Sequence, residues 1–512
     1  MKTSLRPTAR GLIAALLFLV LIGPHLIAQQ QQAQMGQPFV PLKTNMKKDE
    51  LTARLERVIP QLMKDGDVPG LSILLIRDGK VFWQHAFGVT NAETKDPVTD
   101  NTVFEAASLS KPVFAYAVLK LVDSGKMDLD TPLVKYMPGA YVENDARLNQ
   151  ITARRVLSHT TGFPNWRPQN GPEKGPLKIY FTPGEKFSYS GEGFVFLQKT
   201  VEHLMGQPLD DVMKKIVFEP LGMTSSSYVW QERFAPLKAY GHNQSGGVTD
   251  RRQPTEANAA ASLNTTPTDY AKLVIAVMNG TGLRKETARL MLTPQIKVQE
   301  GCQNCVNNTG PVKLLQDVSW GLGWGLQQTS DGESFWHWGD SNNDVQCYTV
   351  AYPKQKMGVM IFTDSGNGHS IIPAILKEAI GGQQPAIAWL NYEPYNSPAK
   401  ELFKDISARG EAAIKDYRER SRNHAGGGPL NETQMNRLGY ALLQKGKVKE
   451  AIEVFKLNVE NFPDSFNTYD SLGEAYMANG DKELAIKNYQ KSIELNPKND
   501  NGRQMLKKLQ GN

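Results

Sequence analysis

The stretch Phe104-Glu105-Ala106-Ala107-Ser108-Leu109-Ser110-Lys111 decides the fold of the larger part of this chain. An apolar run follows it and predicts a helix that reaches about residue 123. Pro112 has no backbone donor and is tolerated only in a first turn, so the helix must begin close to Ser108. Ser108 and Lys111 then lie one turn apart on the same face, with Cβ atoms about 5 to 6 Å apart. The positive end of the helix dipole favours the alkoxide of such a serine.

A serine three residues before a lysine is a weak signal when it stands alone. Ser397-Pro398-Ala399-Lys400 matches the same pattern in a region with no other sign of chemistry. The ordinary alternative is that Ser108 caps the helix and that Lys111 is solvated. Two further motifs supply the context that this alternative lacks, and they are Tyr189-Ser190-Gly191 and His337-Trp338-Gly339.

Tyr189 is the second candidate, and it precedes a predicted helix over 193–203. A phenol with a pKa near 10 is a poor base. Lowering that pKa to about 7 or 8 takes roughly 3 to 4 kcal/mol of electrostatic help. Lys111 and a nearby cation are the expected source of that help. The alternative is a half-buried tyrosine of the core.

The third candidate is His337-Trp338-Gly339, which lies on a predicted late strand. A basic residue there can hold a substrate acid or tune the tyrosine. The glycine would let a substrate backbone approach the strand closely, and Trp338 would offer an apolar wall. Because His424-Ala425-Gly426 fits the same short pattern, the order of the three motifs along the chain carries the case.

Together the motifs resemble the serine β-lactamase and penicillin-binding protein family, in the branch of class C β-lactamases, D,D-peptidases and esterases. The likeness covers roughly residues 46–382. The further stretches that carry it are Leu157-Ser158-His159-Thr160-Thr161-Gly162, Pro183-Gly184-Glu185-Lys186-Phe187-Ser188-Tyr189-Ser190 and Pro220-Leu221-Gly222-Met223.

The resemblance implies that Ser108 attacks a carbonyl and forms an acyl-enzyme, with Lys111 and Tyr189 sharing the role of base. It implies that His159 shapes a loop rather than takes part in the chemistry. It also implies a site with no metal and no cofactor. The remaining implied roles are substrate binding by His337, Trp338 and Gly339, and an oxyanion hole formed by the backbone N–H groups of Ser108 and Asp340.

Two departures from the family pattern bear on the substrate. Gly191 stands where the lactamases of this branch carry an asparagine, and His337 and Trp338 stand where they carry lysine and threonine. The resemblance therefore implies a serine hydrolase that cleaves an ester or amide rather than an efficient β-lactamase, and the N-terminal segment described below predicts that it is exported. The alternatives are a D,D-carboxypeptidase or β-lactamase, and a non-catalytic protein that binds wall fragments and recruits a partner.

The expected fold is α/β, with a β-lactamase-like antiparallel sheet flanked by helices and interrupted by a helical insertion. Asp78-Gly79 marks a hairpin turn between two early strands, and further strands return only late in the chain. The cleft is expected between the sheet and the insertion. The predicted strands are 71–77, 81–87, 320–327, 334–338, 345–351 and 357–363, and the flanking helices are 47–65 and 371–380.

The C-terminal region contains an internal repeat. Leu438-Gly439-Tyr440 and Pro463 recur 34 residues later as Leu472-Gly473-Glu474 and Pro497. This period resembles the tetratricopeptide repeat, which predicts an all-α module over 429–512. A stabilising role and a protein-binding role are both compatible with it.

The remaining segments complete the expected domain organisation. Residues 46–385 form the hydrolase domain, and 386–428 form a partly helical connector. A helix over 400–422 is expected either to add a layer to the repeats or to leave them docked on the hydrolase domain. Residues 1–28 read as a signal peptide, with a candidate cleavage point after Ala28. A flexible tail over 29–45 follows.

Composition and the N-terminus limit the cellular context. The expected location is periplasmic or extracellular, with membrane attachment only if the signal segment is retained. The formal charge of +6 includes three basic residues of that segment, so no nucleic-acid partner is expected. The expected substrate is a small molecule or peptide. Three cysteines exclude a disulfide scaffold. Cys302 and Cys305 can close a loop disulfide, form a redox dithiol or supply half a zinc site, and Cys347 is expected to be a buried thiol.

Overall fold

The computed structural model describes residues 41–139, 141–167, 176–308, 312–342, 344–422 and 429–511. The expected signal peptide and most of the expected tail lie outside these residues. At the end of the tail, the Lys43 ammonium donates to the Glu378 carbonyl at 2.7 Å. No helix in the described ranges is both long and apolar enough to cross a membrane.

Eight antiparallel strands form one sheet, in the spatial order β2-β1-β8-β7-β6-β5-β4-β3. β1 lies between β2 and β8, so the N-terminal hairpin and the late strands share one sheet, as the sequence predicts. The strands are β1 Gly70–Arg77, β2 Lys80–Gly88, β3 Ile296–Gln299, β4 Leu314–Trp320, β5 Gly325–Thr329, β6 Gly332–Ser341, β7 Val345–Tyr352 and β8 Met357–Thr363. We call residues 41–396, which contain this sheet, the sheet region.

Helices cover both faces of the sheet because side chains alternate along each strand. Leu71 and Ile73 of β1 face the helices Lys48–Asp65 and Gly368–Ala379. Leu74 faces the helical insertion on the other side. The helices of the insertion are Ser110–Asp123, Ala153–Leu157, Gly191–Met205, Leu209–Met213, Glu219–Leu221, Pro267–Asn279 and Lys285–Met291.

The predicted strand over 320–327 is wrong. Trp320 ends β4 and Gly325 begins β5, and a tight turn between them is closed by a 2.8 Å hydrogen bond from Gly321 N to the Trp324 carbonyl. Gly323 lies in this turn with φ of +86°. Buried tryptophans continue through the turn and hide it in the sequence pattern. The short strand β3 was not expected.

The C-terminal region is all-α, as predicted. A Cβ at Gly439 would lie 2.4 Å from the Phe455 ring, and one at Gly473 would lie 3.2 Å from the Tyr489 ring. The glycine of each repeat therefore makes room for the aromatic residue of its partner helix. The helices of the repeats are Glu432–Gln444, Val448–Asn461, Phe466–Asn479 and Lys482–Leu495, followed by Asp500–Gln510.

The segment predicted as one helix over 400–422 consists of two helices, Pro398–Arg409 and Glu411–Arg422. Gly410 separates them with φ of +62°, a conformation that ends a helix readily at glycine. Ile406 and Ile414 are buried in the apolar core of the repeats, so this pair adds a helical layer to them. We call residues 398–511 the repeat module.

The sheet region ends with the helix Pro385–Leu390, and Trp389 of that helix packs against the sheet. The repeat module also touches the sheet region directly. Lys400 Nζ donates to Asn367 Oδ1 at 3.0 Å, and Ser245 Oγ donates to Gln444 Oε1 at 3.2 Å. The two alternatives for the connector therefore both occur, since it extends the repeats and docks on the sheet region.

Candidate active site

Ser108 lies in a single 3-10 turn, Ala107–Leu109, that leads into the helix Ser110–Asp123. Ala107 has φ of 46°, an uncommon conformation for a residue with a side chain, and one that clusters at functional sites. Three contacts hold the turn. Ser110 Oγ donates to the Ala107 carbonyl at 2.5 Å and accepts from Leu263 N at 3.0 Å. The Tyr228 hydroxyl donates to the Ser110 carbonyl at 2.6 Å.

The Lys111 ammonium nitrogen lies 3.0 Å from Ser108 Oγ. Lys111 is fully buried, and its second hydrogen bond goes to the Ala260 carbonyl at 2.7 Å. No ion pair to Lys111 occurs in the described part of the chain. Burial therefore lowers the pKa of Lys111 well below its usual value. A neutral amine at this position can accept the serine proton.

The alternative of a plain helix cap does not describe Ser108. The residue before the helix is Leu109, and no side chain caps its first turn. The second serine-lysine pair behaves as the ordinary alternative requires. Ser397 caps the helix Pro398–Arg409 by accepting from Lys400 N at 3.1 Å. The two matches to one pattern thus differ in structure.

Tyr189 lies beside this pair, with its ring centre 4.8 Å from Lys111 Nζ. Burial raises the pKa of Tyr189, and the nearby Ser108 hydroxyl offsets this only in part. The tyrosine hydroxyl is buried and is not aligned for a hydrogen bond with any described residue. The expectation that Lys111 lowers the pKa of Tyr189 is therefore wrong. Because burial raises the pKa of Tyr189, the phenol keeps its proton near pH 7.

Two loops position Tyr189. The contact of the loop at 299–305 with Tyr189 was not predicted from the sequence. Tyr189 N donates to the Gln303 carbonyl at 2.8 Å, and Cys305 N donates to Ser188 Oγ at 2.9 Å. The disulfide Cys302–Cys305 closes this loop, which confirms the first of the three alternatives for these cysteines. Residues 299–305 therefore hold the backbone at Tyr189 and the side chain of Ser188 in place. We call residues 188–190 the tyrosine segment.

His159 holds the tyrosine segment from the other side. Its ring stacks on Tyr189 with centroids 4.3 Å apart, and its Nδ1 accepts from Ser190 N at 3.0 Å. Burial, the charge of Lys111 and His337 lower the pKa of His159 well below its usual value, in that order. His159 is thus a neutral positioning residue, in agreement with the prediction.

Gly339 has a packing role that was not expected. A Cβ at Gly339 would lie 2.4 Å from Cys347 Sγ, 2.5 Å from the Ala106 carbonyl and 3.3 Å from Ala107 Cβ. The glycine therefore lets β6 approach the serine turn closely, and its role toward a substrate stays a prediction. Cys347 is the buried thiol that was expected, and its Sγ donates to the Ala106 carbonyl at 3.2 Å.

His337 and Trp338 also differ from expectation. His337 is fully buried, and burial together with the charge of Lys111 lowers its pKa to about 3. It is neutral near pH 7 and cannot supply a cation for a substrate acid. Trp338 is 7% exposed and packs on Tyr189 with ring centres 4.8 Å apart. It supports the tyrosine instead of walling an open cleft. Asp340 follows at the partly exposed end of β6.

Trp166 is an exposed aromatic residue at this site, and its place here was not predicted from the sequence. A Cβ at Gly191 would lie 2.7 Å from the Trp166 ring, so the indole occupies the space beside the glycine. Gly191 N donates to Asn165 Oδ1 at 2.9 Å. Trp166 is 45% exposed, and its ring centre is 5.8 Å from Lys111 Nζ. An asparagine at residue 191 would collide with it.

Comparison with known proteins finds relatives of both parts of the chain. The family model described as Beta-lactamase matches residues 55–373, and the model described as Tetratricopeptide repeat matches residues 471–499. Protein flp of Staphylococcus aureus strain N315 is 23% identical over 333 residues, covering 61% of this chain. Esterase EstB of Burkholderia gladioli is 28% identical over 212 residues, covering 36% of this chain.

This chain spans only 62% of the length of protein flp and 54% of that of EstB. A solved structure described as a class C beta-lactamase superposes with a TM-score of 0.55 at 19% identity. That match covers 66% of this chain and 99% of the other. It shows a common fold for the sheet region.

Proposed function

The chain belongs to the beta-lactamase family, and we propose that it is a serine hydrolase that cleaves an ester or amide through an acyl-enzyme on Ser108. The observation that carries this proposal is the 3.0 Å contact between Ser108 Oγ and the amine of Lys111. That amine is buried, has a lowered pKa and pairs with no acid among the described residues. It has the properties of a general base.

In the proposed reaction, Lys111 takes the proton from Ser108 Oγ while that oxygen bonds to the substrate carbonyl carbon. The backbone N–H groups of Ser108 and Asp340 would hold the resulting oxyanion, and each such donor contributes about 3 to 4 kcal/mol. Tyr189, which keeps its proton, would donate it to the leaving group and recover it from the Lys111 ammonium. Water then releases the acyl group by the reverse sequence.

An ester or simple amide suits this site better than a β-lactam. The lactamases of this branch carry a lysine on this strand, whereas His337 is neutral near pH 7 and supplies no cation. Trp166 presents an aromatic surface beside Gly191, where the lactamases of this branch carry an asparagine side chain. EstB, a relative of 28% identity, is named as an esterase. These three points favour hydrolysis of an uncharged or apolar acyl group.

The test is a panel of p-nitrophenyl esters, nitrocefin and a D-Ala-D-Ala peptide with the full-length protein. We expect turnover of the esters and its loss in Ser108→Ala. Ser397→Ala is the matched control, since it alters the other serine-lysine pair, and it should keep full activity. Faster turnover of nitrocefin or the peptide would identify a lactamase or carboxypeptidase. Binding without any turnover would identify the non-catalytic alternative.

We also propose that the protein is exported with cleavage of residues 1–28. The disulfide Cys302–Cys305 supports this, because such bonds persist mainly in oxidising compartments. N-terminal sequencing of the protein recovered from periplasm or medium should begin after Ala28. Recovery of the whole protein from the cytosol with Met1 intact would contradict export.

A further inference from the structure

The amine of Lys111 has two hydrogen-bond partners among the described residues, Ser108 Oγ at 3.0 Å and the Ala260 carbonyl at 2.7 Å. Ala260 is fully buried and lies in a loop over residues 257–263. We call these residues the lysine loop. Because the amine ends a long and flexible side chain, the position of the Ala260 carbonyl decides how the amine faces Ser108.

One buried glutamine holds the backbone of the lysine loop. Gln198 lies on the helix Gly191–Met205 and is 7% exposed. Its Nε2 donates to the Ala257 carbonyl at 2.8 Å, and its Oε1 accepts from Ala259 N at 2.7 Å. The side-chain amide thus uses both its donor and its acceptor on peptide groups. It fixes the chain directly before Ala260.

Further contacts extend this hold to residue 260. Asn258 Oδ1 accepts from Ala260 N at 2.8 Å, and Asn258 N donates to Ser262 Oγ at 2.8 Å. Ser262 Oγ in turn donates to the Tyr228 carbonyl at 2.7 Å. Because the Tyr228 hydroxyl supports the serine turn, the lysine loop and the serine turn belong to one hydrogen-bond network.

The Ala260 carbonyl also bears on the base strength of Lys111. The other titratable groups that face the amine are His159, His337 and Tyr189. Burial lowers the pKa of both histidines and raises the pKa of the tyrosine, so all three are uncharged near pH 7. A hydrogen bond from an ammonium is roughly twice as strong as one from a neutral amine, so the carbonyl favours the protonated form.

We propose that Gln198 is a positioning residue for the reaction, because it fixes the Ala260 carbonyl that orients the Lys111 amine on Ser108. The inference rests on the proposed function, since Lys111 acts as the base only in that reaction. Gln198 lies on the helix that begins just after Tyr189. That helix therefore serves both the tyrosine segment and the base.

The first test measures kcat and KM of the full-length protein for a phenyl ester as a function of pH. Gln198→Met keeps the length of the side chain and removes both hydrogen bonds to the lysine loop. We expect the maximal kcat to fall about tenfold, with less than about a twofold change in KM. The pH at which kcat is half-maximal should fall by up to about one unit, because the ammonium loses its acceptor.

A matched control and a second variant separate this role from general stability. Gln327 is equally buried, and its Oε1 accepts from Ala386 N at 3.1 Å, so Gln327→Met should leave kcat and its pH profile unchanged. Asn258→Ala removes only the contact to Ala260 N and should shift the profile in the same direction as Gln198→Met. A fall in kcat without a shift of the profile, or an equal shift in Gln327→Met, would overturn the proposal.

A second test needs no turnover. Urea midpoints are compared for the wild type, Gln198→Met, Lys111→Met and the double variant. If Gln198 acts through the contact between Ala260 and Lys111, Gln198→Met should lower the midpoint less in the Lys111→Met background than in the wild type. Equal falls in both backgrounds would contradict the positioning role. Unequal falls in a protein that hydrolyses no ester would support that role and count against the proposed reaction alone.

Discussion

Replacing Lys111 with methionine should abolish catalysis and stabilise the fold at the same time. Lys111 is fully buried, and burial lowers the pKa of its amine well below 10.5. In the unfolded chain the same amine has a pKa of about 10.4. Keeping the amine neutral in the folded protein costs about 1.4 kcal/mol of folding free energy for each pH unit below that value. If catalysis requires this amine to be neutral at pH 7, holding it neutral costs the fold roughly 4 to 5 kcal/mol.

Methionine removes this cost but also removes two hydrogen bonds. The Ala260 carbonyl loses its 2.7 Å donor, which costs roughly 1 to 3 kcal/mol. We therefore expect Lys111→Met to raise the free energy of unfolding at pH 7 by about 1 to 4 kcal/mol. Loss of the general base should lower kcat about 10²- to 10⁴-fold.

The pH dependence gives a second readout with a fixed sign. Between the lowered pKa of the folded amine and about pH 10.4, the unfolded chain binds a proton at Lys111 that the folded protein does not, so the stability of the wild type rises with pH in this range. Lys111→Met lacks this contribution, and its advantage should shrink as pH rises. Ester hydrolysis by the wild type should increase as pH rises through the pKa of the folded amine.

The assays are urea unfolding followed by tryptophan fluorescence at pH 7 and pH 9, and kcat for a phenyl ester. Lys120→Met, on the same helix but partly exposed, is the control and should leave kcat unchanged. A Lys111→Met protein that keeps more than about a tenth of the activity would refute the role of Lys111 as base. A variant less stable than the wild type at pH 7 would refute the neutral amine.

Four further outcomes are expected. Gly339→Ala should lower stability by about 1 to 3 kcal/mol, because its Cβ meets Cys347 Sγ and the Ala106 carbonyl; Cys347→Ala should restore part of this, and an unchanged urea midpoint would contradict the close packing. The double variant Cys302→Ser, Cys305→Ser should lower kcat more than it changes KM, because Gln303 then holds Tyr189 less firmly. A reductant should lower kcat of the wild type in the same way and leave kcat of the double variant unchanged. Trp166→Ala should lower kcat/KM for a phenylacetyl ester about 2- to 10-fold relative to an acetyl ester, and equal losses would refute an aromatic acyl wall. A chain that ends at Asn396 should hydrolyse the phenyl ester at the rate of the whole protein, because every candidate catalytic residue lies before that point; inactivity would show that the repeat module completes the core.

The sequence predicts those parts of the fold that rest on local patterns. The Asp78-Gly79 turn, the helix after Ser108 and the repeat glycines Gly439 and Gly473 follow from backbone and periodicity rules that act within a few residues. The turn at 321–324 was not predicted because Trp320 before it and Trp324 at its end are both buried and continue the apolar pattern of a strand. Hydrophobicity alone does not reveal where such a run reverses.

The candidate site could be predicted by residue type but not by electrostatics. Which of Lys111 and Tyr189 gives up its proton depends on burial, and burial is a property of the assembled core. Two contacts join segments that lie apart in the chain. One is the packing of Trp166 beside Gly191, and the other is the hydrogen bond from Tyr189 N to the Gln303 carbonyl. An unusual glycine at residue 191 was the one signal that some other side chain fills that space.

Every step of the proposed reaction depends on Ser108 being an activated nucleophile. The most direct measurement is peptide mapping by mass spectrometry after the full-length protein reacts with a fluorophosphonate probe. We expect one adduct, on the peptide that contains Ser108, with labelling lost in Ser108→Ala and strongly slowed in Lys111→Met. An adduct on another serine, or equal labelling of the wild type and Ser108→Ala, would contradict it.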